Sequence, residues 1–261
     1  MTKNKSSTLL AVDIGNTMIS LGVLRGKSVI AVAEVETRLS NPKLPAALKK
    51  VLAKFKRNFF FEDCIICSVV PPVLTAVKNI IQKNLPVKTL VVGKDVIVPL
   101  INRYRNPKQV GQDRLVGAYA ALKFYDVPAV VIDFGTAITF DVVSKRKEYL
   151  GGIIVPGIRL SAESLFAKTA FIPRIDIVKP GSLIGKDTQE SVLSGIFYGY
   201  GAMSRGLISL LTKQLKAKPK VIVTGGYTPQ MKKYIASQIT KVDRYLVFKG
   251  LHLLWEKFRK E

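Results

Sequence analysis

Histidine and cysteine are scarce in this sequence, which has one histidine and two cysteines among 261 residues. A Ser-His-Asp triad or a two-histidine metal site would depend on His252 alone, so neither is expected. Cys64 and Cys67 are too few for a disulfide framework or a zinc finger. Their C-x-x-C spacing lies within a predicted buried strand, on which side chains three residues apart point to opposite faces. We therefore expect both thiols to pack in the core rather than to form a redox motif.

Acidic residues and long apolar runs are also scarce. The chain has 18 acidic and 41 basic residues, and the resulting net charge of +23 keeps a polyanion-binding role open. No apolar run approaches the roughly 20 residues that a membrane-spanning helix needs. The apolar run near the N-terminus ends at Asp13, too early for a signal sequence. The sequence therefore predicts a cytoplasmic protein that does not span a membrane.

The predicted secondary structure repeats itself, because three strands open each half of the chain. In the first half they are predicted at residues 8–13, 19–24 and 28–35. In the second half they are predicted at residues 130–133, 137–143 and 149–155. Helices are predicted at residues 158–168, 188–215 and 251–258, and a last strand at residues 242–247. Alternating strands and helices of this kind predict a mixed α/β protein.

A short motif marks the same point in both halves. Val12-Asp13-Ile14-Gly15-Asn16 recurs 120 residues later as Ile132-Asp133-Phe134-Gly135-Thr136. In each copy a strand ends in an aspartate, one apolar residue follows, and the chain turns at a glycine beside a small polar residue. Because both copies lead into a second strand, they indicate a duplicated lobe rather than a chance match.

The chemistry of these turns suits a nucleotide. An aspartate at a strand end can hold a cation directly or through water, and a glycine lets backbone N–H groups approach a phosphate. Asn16, Thr17 and Thr136 add amide and hydroxyl groups. One such turn would be an ordinary hairpin, but two that face each other across a cleft would hold a triphosphate and its metal. A duplicated lobe of this kind is typical of the actin, sugar-kinase and Hsp70 superfamily.

A third segment, Gly111-Gln112-Asp113-Arg114, precedes a predicted helix. Asp113 would lie in the first helical turn, where a carboxylate stabilises the helix by about 0.3–1 kcal/mol. Alternatively, Asp113 would be a general base toward a hydroxyl group and Arg114 would bind a carboxylate with its two-pronged guanidinium. The spacing alone favours the helix-stabilising role.

Taken together, these segments resemble type III pantothenate kinase, the bacterial enzyme that begins coenzyme A synthesis. Four linked motifs occur in the family's order, at residues 13–17, 111–114, 133–141 and 151–157. Further matches lie at residues 184–188 and 194–200, so the resemblance covers nearly the whole chain.

The resemblance implies a set of site residues. The first phosphate-binding loop for ATP matches Asp13, Ile14, Gly15, Asn16, Thr17, Met18, Ile19 and Ser20. The second matches Thr136, and Asp133 matches the aspartate associated with a monovalent cation, K⁺ or NH₄⁺. Asp113 matches the proposed proton acceptor. The pantothenate contacts match Tyr104, Gly111, Gln112, Asp113, Arg114 and Thr188. Mg²⁺ is expected to accompany ATP.

The resemblance also implies the architecture. We expect duplicated actin-like, ribonuclease-H-like lobes, each a mixed five-stranded sheet with flanking helices. The N-terminal lobe would span residues 1–110, and the C-terminal lobe would span residues 111–261 and carry the dimer helices. Family members form homodimers whose sites are completed at the interface, so Thr188 would serve the other subunit's pocket.

Two departures from the family and two alternative functions stay open at this point. Position 112 is often alanine in the family, whereas Gln112 would narrow or reorient the pocket. After Thr224-Gly225-Gly226 the family usually has a small apolar pair, and Tyr227-Thr228 at this place argues against nucleotide-base contacts there. The main alternative is a regulatory or nucleic-acid-binding protein that has the same fold, and the excess of basic residues keeps it open. No nucleic-acid-binding motif is present, so nucleic acid is not the expected partner. A phosphatase or acyl-phosphate kinase would share the duplicated turns but not Gly-x-Asp-Arg.

Overall fold

The computed structural model describes residues 8–37 and 42–260. The chain forms two compact units, and each consists of segments that are distant in the sequence. The first unit comprises the described residues of 1–100, 106–120 and 245–261, and the second comprises 101–105 and 121–244. The predicted lobes, 1–110 and 111–261, follow the sequence duplication and stay a prediction.

In the first unit, the described strands form a five-stranded mixed sheet with the order β3-β2-β1-β4-β5. The strands are β1 (Thr8–Ile14), β2 (Met18–Arg25), β3 (Ser28–Glu36), β4 (Phe61–Ser68) and β5 (Lys88–Val91). The first three form an antiparallel meander, and β4 and β5 run parallel to β1. Because the parallel strands need crossover connections, helices α1 (Leu44–Asn58) and α2 (Pro71–Asn84) link them.

Both faces of this first sheet are covered. On one face, α1 and α2 bury apolar stripes such as Leu48, Leu52 and Val77 against alternate residues of the strands. On the other face lies α7 (Leu246–Phe258), whose Trp255 Nε1 donates to Asp63 Oδ2 on β4 at 2.7 Å. The last helix of the chain therefore completes the core of the first unit.

In the second unit, six strands of the described chain form a mixed sheet with the order β11-β10-β7-β8-β9-β6. They are β6 (Ile101–Asn102), β7 (Ala129–Phe134), β8 (Ala137–Val143), β9 (Glu148–Pro156), β10 (Lys220–Thr224) and β11 (Lys241–Val242). Strands β9-β8-β7-β10-β11 repeat the order and directions of β3-β2-β1-β4-β5. The helices are α4 (Ile158–Lys168), α5 (Thr188–Leu215) and the single turn α6 (Thr228–Met231).

The duplicated mixed α/β architecture confirms the predicted fold class, with two local differences. The second sheet has an additional two-residue strand, β6, on the outer side of β9. The predicted strand at 242–247 is wrong, because β11 ends at Val242 and α7 begins at Leu246. The apolar residues from Leu246 continue at helical spacing to Leu254, so they form the buried face of a helix rather than a strand.

The helix α3 (Gln112–Phe124) begins within the segment Gly111–Arg114 and has Asp113 in its first turn, as predicted. None of the helices in residues 8–37 and 42–260 combines the length and apolar character that a bilayer crossing requires.

Candidate active site

In the first unit, the Asp13 motif forms the end of β1 and a tight turn into β2. The backbone N–H of Gly15 donates to the carbonyl of Met18 at 3.0 Å and closes the turn. Asn16 and Thr17 are exposed at its tip, where their amide and hydroxyl groups can reach a ligand. The turn therefore presents polar groups at one end of the sheet.

The side chains of this loop point in two directions. Ile14 and Ile19 are register partners and are fully buried in the core, so only their backbone can reach a ligand. Asp13 and Ser20 form the next cross-strand pair and are half-buried on the opposite face of the sheet. The carboxylate and the hydroxyl group thus share one face, away from the core under α1 and α2.

Asp113 lies over Gly111 at the start of α3. Its Oδ1 accepts the backbone N–H of Arg114 at 2.8 Å. A Cβ atom on Gly111 would lie only 2.5 Å from the same oxygen and 3.3 Å from a methyl group of Val69. Since no real Cβ tolerates 2.5 Å to an oxygen, the absence of a side chain at residue 111 lets the carboxylate occupy this position.

The carboxylates of Asp13 and Asp113 both influence Cys67. Cys67 is the register partner of Asp13 on the parallel strand β4, and it is fully buried. Burial raises the pKa of the Cys67 thiol, and the negative charges of Asp13 and Asp113 raise it further. The first unit thus brings the predicted phosphate-loop aspartate and the predicted base to the same neighbourhood. Cys64 and Cys67 are both free and buried, as expected.

The neighbours of Asp113 in the motif are half-buried. The side-chain amide of Gln112 packs on Gly93, which lies in the turn after β5. A Cβ atom on residue 93 would lie 2.9 Å from Gln112 Cδ. Gln112 therefore extends toward the turn after β5. Arg114 follows on the same helical turn as Asp113.

In the second unit, Asp133 occupies a close-fitting space at the end of β7. A Cβ on Gly225 would lie 2.2 Å from Asp133 Oδ1, and one on Gly135 would lie 3.1 Å from it. Gly225 also has a φ of +95°, a conformation that favours glycine. Two glycines thus leave the space that the Asp133 carboxylate fills.

The turn that carries Thr136 is held by the start of α4. The N–H of Gly157 donates to the Thr136 carbonyl at 3.1 Å, and a Cβ on Gly157 would overlap that oxygen. Thr136 itself is exposed, as a phosphate-contacting hydroxyl group needs to be.

Tyr104 and Thr188, the other predicted acceptor contacts, lie on different elements of the second unit. The ring of Tyr104 packs on Gly151 of β9. The backbone N–H of Tyr104 donates to Asn102 Oδ1 at 2.9 Å. Thr188 is the exposed first residue of α5. It follows the helix cap Asp187, whose Oδ1 accepts the N–H of Glu190 at 2.7 Å.

Asp141, the last residue of the matched segment 133–141, belongs to a hydrogen-bonded group on the same face of the second sheet as Asp133. Asp141 of β8 is 2% exposed, and its Oδ1 accepts the hydroxyl of the buried Tyr149 at 2.7 Å. Its Oδ2 accepts the hydroxyl of Thr139 at 3.0 Å. The aspartate was visible in the sequence, but its partners depend on the pairing of β8 with β9.

The donor chemistry around Asp133 fits a hard cation. Among the residues that the structure describes, no three His, Cys, Asp or Glu side chains come together as a metal-binding group. A monovalent cation, or an Mg²⁺ ion that keeps most of its waters and binds phosphates, needs only one or two carboxylates. Asp133, whose carboxylate lies between Gly135 and Gly225, could supply such a ligand.

Two mixed sheets of the same topology, each with an Asp-x-Gly turn between its first two strands, define the actin-like ATPase and sugar-kinase fold. Solved structures with low sequence identity share this fold. A ROK family glucokinase from Streptomyces griseus, solved with glucose and AMPPNP, is 12% identical, with a TM-score of 0.56 over 95% of this chain and 99% of that one. The ethanolamine utilization protein EutJ from Carboxydothermus hydrogenoformans is 15% identical, with a TM-score of 0.55 over 94% and 89%. MreB 5 of Spiroplasma citri, bound to AMPPNP, is 12% identical, with a TM-score of 0.52 over 98% of both chains.

Within this fold, the sequence identifies a particular family. A sequence model of type III pantothenate kinase matches residues 9–210. The chain therefore belongs to the type III pantothenate kinase family, and it is a kinase that binds ATP and takes an alcohol as phosphoryl acceptor. The matched region includes all the predicted site residues.

Proposed function

We propose that this protein transfers the γ-phosphoryl group of ATP to the primary hydroxyl group of pantothenate, with Asp113 as the proton acceptor. The bond between the bridging oxygen and the γ-phosphorus breaks, a bond from the hydroxyl oxygen to phosphorus forms, and ADP leaves. The hydroxyl proton moves to an oxygen of Asp113. The position of Asp113, half-buried in the first turn of α3 over Gly111, is the observation that carries this proposal.

The chemistry demands little of this base. Phosphoryl transfer passes through a loose transition state, so positioning and charge neutralisation supply most of the catalysis. Asp113 orients the acceptor hydroxyl group and receives its proton late in the reaction. The hydrogen bond from the Arg114 N–H to Oδ1 helps to hold this carboxylate in place.

The other residues that contact pantothenate are assigned by the chemistry of their side chains. Arg114 binds the pantothenate carboxylate in the two-pronged geometry that guanidinium groups favour. Gly111 and Gln112 line the same helix start, and Tyr104 and Thr188 contribute further contacts. Gln112, which packs on Gly93, shapes the acceptor end of the pocket.

For the nucleotide, residues 13–20 and Thr136 bind phosphate oxygens through backbone N–H, hydroxyl and amide groups. Asp133 holds a monovalent cation, K⁺ or NH₄⁺, and Mg²⁺ accompanies the phosphates. When bound, these cations neutralise the charge of the triphosphate. The carboxylate between Gly135 and Gly225 supports this assignment.

We also propose that the protein is a homodimer in which Thr188 serves the partner's pocket. Large apolar side chains on the helices of the second unit support an interface there, since Leu160, Phe166 and Leu210 are 46%, 47% and 61% exposed. Light scattering at micromolar concentration should give twice the chain mass of 28.8 kDa.

A coupled assay tests the proposed reaction. Purified protein with ATP, Mg²⁺ and potassium should convert pantothenate to 4′-phosphopantothenate and leave other small hydroxy acids unchanged. Asp113→Asn should keep the wild-type unfolding temperature and lose turnover by about 10²-fold or more. Full turnover in this variant would remove Asp113 from the base role.

The net charge of +23 supports a second candidate, a regulatory or nucleic-acid-binding protein on the same fold. A DNA titration at two salt concentrations separates the candidates, because binding through dispersed charge falls steeply with salt. Binding that persists at physiological salt would favour the second candidate.

A further inference from the structure

Strand register reveals a second oxygen-bearing side chain beside Asp133. Asp133 of β7 and Thr139 of β8 are direct cross-strand partners, so their side chains project from the same face of the sheet. The first sheet repeats this arrangement, because Asp13 of β1 is the cross-strand partner of Ser20 of β2. Each Asp-x-Gly turn thus places a hydroxyl group opposite its aspartate.

The hydroxyl group of Thr139 is already oriented. It donates to Asp141 Oδ2 at 3.0 Å, and Asp141 Oδ1 accepts the hydroxyl of Tyr149 at 2.7 Å. Tyr149 is fully buried and Asp141 is 2% exposed, so neither group is free to turn toward solvent. The carboxylate therefore holds the Thr139 hydroxyl in one rotameric state.

This orientation decides what Thr139 can bind. A hydroxyl group has one proton and two lone pairs. Since the proton of Thr139 points to Asp141, the Oγ1 atom has only lone pairs to offer on its other side. Phosphate oxygens need hydrogen-bond donors, whereas a cation needs lone pairs. Thr139 Oγ1 consequently suits a cation.

We infer that Thr139 Oγ1 is a ligand of the monovalent cation held by Asp133, and that Asp141 and Tyr149 are positioning residues that orient it. This inference rests on the cation assignment made in the proposed function. It adds Thr139 to the site, and it gives the buried Asp141 the role of orienting the Thr139 hydroxyl group.

The first sheet differs from the second at the position that corresponds to Asp141. The residue that corresponds to Asp141 by strand register is Gly22, which pairs with Ala11 as Asp141 pairs with Val131. The ring of Phe248 packs on Gly22, where a Cβ would lie 3.0 Å from three ring carbons. The position that corresponds to Asp141 thus has an aromatic ring and no carboxylate, and apart from Asp13 the carboxylate nearest to Ser20 by register is the exposed Glu34, its cross-strand partner on β3.

Thermal unfolding in KCl and in tetramethylammonium chloride at equal ionic strength, with Mg²⁺ and AMPPNP present, tests the inference without measuring turnover. The wild type should be stabilised specifically by potassium, because a ligand that binds only the folded state raises its stability. Thr139→Val should raise the potassium concentration for half-maximal stabilisation by about tenfold or more, as removal of groups around metal ligands does. Asp141→Asn should act in the same direction, and Thr139→Ser should restore the wild-type value.

Thr212→Val is the matched control, since it removes a half-buried hydroxyl group that donates to the Ile208 carbonyl within α5. It should leave the potassium dependence unchanged. If Thr139→Val keeps the wild-type potassium dependence, the inference is wrong and the cation assignment to Asp133 stands. If the wild type itself shows no potassium-specific stabilisation, the cation assignment and this inference are both wrong.

Discussion

Asp13 and Cys67 are register partners on the parallel strands β1 and β4, so a buried thiol lies beside the first aspartate of the duplicated motif. Asp113 acts on the same thiol from the start of α3. The three residues come from segments about 50 residues apart, and the first sheet brings them together. The candidate phosphate loop and the candidate base therefore share one structural support within the first unit.

The environment of Cys67 predicts an inert thiol. Burial raises its pKa, and the two carboxylates raise it further, so the protonated thiol is favoured over the reactive thiolate. We expect iodoacetamide to leave Cys67 unmodified in the folded protein and to alkylate it in urea, as read by peptide mass spectrometry. Rapid alkylation of the folded protein would show that the thiol is accessible and ionised.

Gly111→Ala should damage catalysis without unfolding the protein. The new Cβ would lie 2.5 Å from Asp113 Oδ1, so the carboxylate must move, and a displacement of about 1 Å costs on the order of 10²-fold in rate. The expected result is a fall in kcat with a smaller change in the KM for ATP, measured by the coupled assay.

Gly117→Ala on the same helix is the control for this substitution. A Cβ at residue 117 would meet nothing within 4 Å, so it should keep kcat and stabilise the helix by about 0.4–1 kcal/mol. Equal kcat values for the two variants would contradict the proposed position of Asp113.

Gly225→Ala should destabilise the second unit and disturb Asp133. The residue has a φ of +95°, and its Cβ would lie 2.2 Å from Asp133 Oδ1. We expect a loss of roughly 1–3 kcal/mol in urea unfolding, because both the backbone and the contact are strained. Gly226→Ala, whose Cβ would meet nothing within 4 Å, should change the unfolding free energy little.

The stability of the protein should fall as the pH decreases below about 6.5, the unfolded-state pKa of histidine. Burial lowers the pKa of His252, with Lys27 acting in the same direction and Glu256 opposing it. Because the folded state binds the proton less readily than the unfolded state does, stability is fully present above the unfolded-state pKa and is lost as the pH falls toward the folded-state pKa.

Since His252 is the only histidine of the chain, its imidazole NMR signals report this titration directly. Their midpoint should lie below 6.5, and His252→Leu should reduce the slope of unfolding free energy between pH 7 and pH 6. A midpoint above 6.5 would mean that Glu256 outweighs burial.

Much of the fold was predictable because its signals are local. The spacing of Leu44, Leu48, Val51, Leu52 and Phe55 predicts the apolar face of α1, and all of these except the half-buried Val51 are buried. The bounds of α4 and α5 agree with the helices predicted at 158–168 and 188–215. The strand predicted at 242–247 was wrong because the periodicity of a short apolar run cannot by itself distinguish a buried strand from the buried face of a helix.

Some features of the candidate site were also predictable from local sequence, and others were not. The two Asp-x-Gly turns and the placement of Asp113 in a first helical turn follow from residues adjacent in the chain, so the sequence by itself determined them. The contact of Asp113 with Gly111, the pairing of Asp13 with Cys67, and the orientation of Thr139 through Asp141 and Tyr149 are different. They depend on strand register and helix packing between distant segments, which only the tertiary structure decides, because a shift of one residue would turn each side chain to the opposite face.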